Sequence, residues 1–155
     1  MRIFLFALAA GMVLSFEANV QGLDGSCLPP ADERTIHEVL LAHFHVNEGT
    51  VEVRHLTRPM SAERSDPAVA AAIADFNQRN GMACPAMEGP LSGLSLLAGS
   101  HRTRLSRVGF DVAGATAVAE ITMIGDPETG SSHFAVLKRD GEAWKVIEDR
   151  LYRMF

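Results

Sequence analysis

An α+β fold is what this sequence predicts: an antiparallel meander of about four strands, plus one earlier strand, packed by two N-terminal helices. Three observations carry the prediction. The last third, Thr103 to Met154, alternates apolar and polar residues between turn signals. Two earlier segments, beginning near Asp32 and Asp66, space their apolar residues at helical intervals. Helices come first and strands are bunched behind them, the order of a segregated fold with the helices on one face of the sheet.

At the start, Met1 and Arg2 precede an apolar run from Ile3 to Phe16. That is the length of a signal-peptide core and short of the roughly 17–25 residues of a spanning helix. Residues 1–22 therefore read as a signal peptide, with Val20-Gln21-Gly22 and Phe16-Glu17-Ala18 as candidate cleavage sites and an uncleaved anchor as the alternative. Residues 23–155 read as a single exported domain, periplasmic or extracellular, with no further run able to span a membrane. Export would let Cys27 and Cys84 form a disulfide, and closing a loop of that length is worth about 4 kcal/mol. No CxxC pair or Cys/His zinc spacing is present. The formal net charge of −5, without a basic run, argues against a sequence-independent grip on nucleic acid.

The first helix is expected after Pro29-Pro30. Asp32 and Glu33 favour its positive end, and Ile36, Val39, Leu40, His43 and Phe44 lie on one stripe. A strand over Thr50–Arg58 sets Val51, Val53 and His55 against Glu52, Arg54 and Arg58. The second helix is punctuated by Asp66 as N-cap, Pro67 at the first helical position and Asn80-Gly81 at its end, with Val69, Ile73 and Phe76 buried. Met82 to Ser100 reads as a tied-down loop with one helical turn.

In the meander, a turn at Ala113-Gly114 places Phe110 opposite Ala117, Val108 opposite Ala119, Ser106 opposite Ile121 and Arg107 opposite Glu120. A type I′ turn at Asp140-Gly141 places Leu137 opposite Trp144, Ala135 opposite Val146, Phe134 opposite Ile147 and His133 opposite Glu148. The polar loop from Gly125 to Gly130 reverses the chain between the hairpins without revealing their mutual register.

The residues Leu105-Ser106-Arg107-Val108-Gly109-Phe110, then Ala117-Val118-Ala119, a Gly-containing loop and Gly141-Glu142-Ala143-Trp144-Lys145-Val146 resemble the C-terminal meander of uncharacterised exported bacterial α+β proteins. More distantly they are similar to the closing strands of the NTF2-like fold. The resemblance implies a cone-shaped sheet wrapped on a helix, a scaffold shared by catalytic and non-catalytic members.

The chemistry this leaves open is limited. His133 beside Glu148 would be the acid–base pair of a small NTF2-like enzyme, since a carboxylate orients an imidazole and raises its pKa. Cross-strand pairs on an exposed sheet are equally ordinary. Arg104, Arg107 and Glu120 are the candidate binding residues: arginines can hold an anion or an acidic partner, or form a solvated face. Four histidines between His37 and His55 invite a metal, but His37 and His43 miss the i, i+4 spacing that puts two ligands on one side of a helix. No metal site or cofactor is expected. Ser131-Ser132 beside His133 lacks a nucleophile elbow. The sequence thus favours a non-catalytic exported domain that binds a protein or small ligand through its sheet face.

Overall fold

The computed structural model describes residues 31–155 apart from positions 56, 57, 64, 83, 85–88, 92, 95 and 126–128. The segment expected to be a signal peptide and Cys27 lie outside the described residues. Among the described residues no helix is long and apolar enough to cross a membrane.

The chain is α+β, with helices α1 (Glu33–His43) and α2 (Pro67–Asn80) and a mixed seven-stranded sheet. Its strands are β1 (Glu48–Val53), β2 (Gly89–Pro90), β3 (Leu97–Leu105), β4 (Gly109–Phe110), β5 (Thr116–Ile124), β6 (Gly130–Asp140) and β7 (Ala143–Met154). They lie in the order β2-β1-β3-β5-β6-β7, with β4 pairing β5. The sheet is mixed because β1 runs parallel to β3, after a crossover that contains α2. Two spans differ from expectation. The first strand stops at Val53, and the stretch expected to be a loop contributes β2 and the opening of β3.

The helices do not share a face. Ile36, Leu40 and Leu41 of α1 pack with Ala117, Ala119, Ile121, Ala135 and Leu137. Val69, Ala72, Ile73 and Phe76 of α2 pack with Val118 and Val136, the alternate residues of the same strands. Successive strand side chains point to opposite faces, so α1 and α2 sandwich the sheet. The cause is compositional: Thr116–Ile121 is buried at every position, as a strand covered on both sides must be.

α2 forms as its punctuation predicts. The Asp66 carboxylate accepts the Ala68 and Val69 N–H groups, both at 3.0 Å, and Pro67 fills the first turn. Such a cap contributes about 1 kcal/mol. In α1 the stripe is narrower than expected: Ile36 and Leu40 are buried, whereas His43 is exposed.

Both hairpins correct the expected registers. Phe110 does face Ala117, but Leu105 rather than Ser106 lies opposite Ile121, because an irregularity over residues 106–108 inserts one residue. Arg107 is thereby removed from Glu120. Its backbone N–H donates to Asn80 Oδ1 of α2 at 3.0 Å, and its Nε donates to Glu33 Oε1 of α1 at 3.0 Å. The second turn is Gly141-Glu142, with Asp140 opposite Ala143 and Leu137 opposite Val146, two residues from the expected register. Positive φ at Gly141 (62°) and not at Glu142 fits a type II′ turn instead of type I′. β5 and β6 pair from Thr116↔Lys138 to Ile124↔Gly130, fixing the central register.

Candidate ligand groove

Two bulges in β7 build the site. Extra residues at Ile147 and Tyr152 break its pairing with β6, and each shifts the alternation of side chains by one. Glu148 therefore lies opposite Val136, on the α2 face, and Arg150 opposite Phe134 on the same face. His133 lies opposite Leu151 on the α1 face, where its ring meets Phe44 with centroids 4.8 Å apart. The expected His133–Glu148 pair is thus divided by the sheet. His133 Nε2 contacts Ser131 Oγ at 3.2 Å, and Glu148 forms an ion pair with Arg150.

His37 and His43 also have structural partners. His37 is buried and its Nε2 hydrogen-bonds the Ser106 carbonyl at 2.9 Å. Burial is the main cause of its lowered pKa, so it is held neutral. His43 pairs with Asp149 at 2.9 Å. Among the described residues no group of three or more His, Cys, Asp or Glu side chains gathers.

On the α2 face, beyond the end of the helix that packs the core, a groove of about 520 Å³ opens. Val69, Ile73, Phe134, Val136 and Met60 give it an apolar floor and wall. One side is the segment from Arg58 to Ser65, tied to α2 by Asn77, whose side chain accepts the Met60 N–H at 2.7 Å and donates to the Met60 carbonyl at 2.9 Å. At the inner end stand Glu120 of β5 and Tyr152 of β7.

Glu120 is only 7% exposed. The Tyr152 hydroxyl donates to its carboxylate, and Thr122 Oγ1 donates to Oε1 at 3.2 Å. Thr122 in turn contacts Ser132 Oγ at 2.8 Å, and Ser132 also bonds Tyr152. Glu120, Thr122, Ser132 and Tyr152 thus form a closed ring of hydrogen bonds in the sheet face. Burial raises the Glu120 pKa; the hydroxyl donors and then Arg153 pull less strongly the other way. Burial, followed by the Glu120 carboxylate, also raises the Tyr152 pKa.

A second cleft, about 480 Å³, shares Glu120 and Tyr152 with the groove and is lined on its far side by Arg54, Arg104 and Arg153. Arg54 and Arg104 both pair with Glu52, at 3.0 and 2.9 Å. Of the residues singled out in the sequence, Glu120 and Glu148 line the groove, Glu120 and Arg104 line the cleft, and Arg107 and His133 line neither. Tyr152 escaped sequence reasoning because nothing local marks the bulge that turns it toward Glu120.

The sign of the Glu120 shift gives a stability prediction. A raised carboxyl pKa means that the folded state holds a proton which the unfolded chain has released, from about pH 4.3 upward. Stability is therefore lost as pH rises through that window. Glu120→Gln should unfold at a higher temperature than the parent at pH 8, with the gap narrowing toward pH 4.5. A gap of constant size in calorimetry across that range would contradict the buried, proton-retaining carboxyl.

No protein-family model, curated protein or solved structure matches this chain. The resemblance to exported α+β proteins and to the NTF2-like fold expected from the sequence has no support in these comparisons and carries no residue assignment.

Proposed function

We propose that this chain is an exported, non-catalytic domain that binds a small organic ligand in the groove between α2, the Arg58–Ser65 segment and the α2 face of the sheet. The observation that carries this reading is a groove of about 520 Å³ in which an apolar patch of Met60, Val69, Ile73, Phe134 and Val136 meets polar and charged side chains, Glu120 and Tyr152 among them. Its size lies in the range of small-molecule sites. The separation of His133 from Glu148 removes the proton-transfer pair on which an enzymatic reading rested.

The test is saturable fluorescence enhancement of N-phenyl-1-naphthylamine, a neutral apolar reporter. Ser65→Trp, at the groove wall, should weaken binding roughly tenfold by occupying the space where the probe loses its apolar contacts, a 1.4 kcal/mol effect. Val112→Trp, on a fully exposed turn, should leave it unchanged. Equal effects of the two substitutions would end the groove assignment.

Export is supported by the basic start and apolar run at residues 1–16, and Cys84, 2% exposed, is placed in the core. Peptide mapping of the non-reduced secreted form should find a new N-terminus near residue 23 and a Cys27–Cys84 peptide. An intact Met1 or two alkylated thiols would contradict these proposals.

A further inference from the structure

The charges along the groove point to one kind of ligand. Among the described residues, four acidic side chains, Glu63, Asp66, Glu120 and Glu148, line it against two arginines, Arg58 and Arg150. Most of these charges are already committed. Glu148 pairs with Arg150, Asp66 caps α2, and Arg58 and Glu63 are both exposed at the rim with opposite signs. Glu120 is different. It is the most enclosed of the four, it sits where the apolar floor ends, and its hydrogen-bond partners among the described residues are hydroxyls. Of the arginines of the adjoining cleft, Arg54 and Arg104 pair with Glu52, while Arg153 stacks over the Phe155 ring at 5.3 Å and acts on Glu120 through space, more weakly than burial and the hydroxyl donors.

A carboxylate withdrawn from water and held by hydroxyls, with no ion pair of its own among the described residues, is costly to fold around, and a ligand cation in direct contact would offset that cost when bound. An ammonium group carrying an apolar chain matches both halves of the groove: the chain on Val69, Ile73 and Phe134, the N–H donors on Glu120. An organic anion would meet the same carboxylate with like charge. We infer that the groove takes a small amphipathic cation, a primary amine with an apolar body, whose ammonium group is held by Glu120. This rests on the groove reading above and names its ligand class.

The groups that face Glu120 set how such binding responds to pH. They are Arg54 and His55 from the segment after β1, Arg104 from β3, Thr122 on its own strand, Ser132 from β6, and Tyr152 and Arg153 from β7, with Arg58, Glu63, Asp66, Glu148 and Arg150 farther along the groove. Burial of Glu120 raises its pKa, so protonation as pH falls removes the partner of the ammonium group and weakens binding.

The experiment is calorimetric titration of the protein with n-octylammonium, n-octanol and octanoate at pH 8 and pH 5. Octylammonium should bind about 10–100-fold tighter than octanol at pH 8, the range of a hydrogen bond to a charged group, and that margin should shrink as pH is lowered to 5. Glu120→Gln should abolish the margin at pH 8, while Glu142→Gln, which removes the same unit of charge on an exposed turn outside the groove, should leave it. Octanol binding as tightly as octylammonium would overturn the cation assignment and leave the groove standing. So would tighter binding of octanoate, or equal losses in the two variants. No binding by any of the three would overturn the groove and its ligand together.

Discussion

Arg107→Met should destabilise the protein by about 3–5 kcal/mol, because it strands the Glu33 carboxylate in the interior without its cation. Both side chains of the pair are 2% exposed, and Glu33 Oε1 accepts the Arg107 Nε–H at 3.0 Å and the Val108 N–H at 2.8 Å. The residues around this pair also tie the two helices together. Asn80 of α2 bonds the Arg107 backbone on both its polar atoms, and His37 of α1 bonds the neighbouring Ser106 carbonyl. Urea unfolding measures the loss directly. Removing the charge of both partners, Glu33→Gln with Arg107→Met, should recover most of it, since the amide oxygen still accepts the Val108 N–H and no buried charge remains. A single substitution costing under about 1 kcal/mol, as an exposed pair would, contradicts the assignment of this pair as an internal tie.

Gly109→Ala should be nearly as damaging, for a steric reason. A Cβ at Gly109 would stand 2.3 Å from the Ala72 carbonyl oxygen, 2.3 Å from the Phe76 nitrogen and 2.5 Å from the Phe76 Cα. These are backbone atoms of α2 and cannot rotate aside, so the helix has to lift. The expected cost is about 3 kcal/mol, at the upper end of overpacking, and Val69 and Ile73 would move with the helix and widen the groove. Gly114→Ala is the comparison: its φ of +64° carries strain but a Cβ there meets nothing within 4 Å, so about 1 kcal/mol is expected. Equal losses in the two variants would show that the close approach of α2 is not what makes residue 109 a glycine.

Local chemistry was the most legible part of the chain. Asp66-Pro67 marks the start of α2 because a capping carboxylate and a fixed φ act within one turn, with no help from the rest of the fold. The apolar stripes of both helices and the strands after residue 103 could be read from periodicity in the same way. Registers were less legible. Asp140-Gly141 and Gly141-Glu142 both place a glycine in the turn, and a shift of two residues keeps every side chain on its face, so alternation does not choose between them. The bulges at Ile147 and Tyr152 required no distinctive residue and left no mark, which is why Glu148 was placed beside His133. Glu120 was singled out for a partner, Arg107, that belongs to the helix junction, while Tyr152, its actual partner, was overlooked. The two-sided burial of the sheet could have been read: Ala117-Val118-Ala119 has no polar alternation, and a strand apolar on both faces needs cover on each.

The tie between Glu33 and Arg107 joins residues 74 positions apart, and β1 finds its parallel partner β3 only after α2 has been crossed. Such distant closures make assembly slow compared with a fold of local contacts. A polypeptide delivered amino end first would hold α1 without a seat until residues 106–108 follow, leaving its apolar stripe open to proteases and to holding factors in the interval. Consolidation of this domain would then come late and largely at once, when its second half arrives.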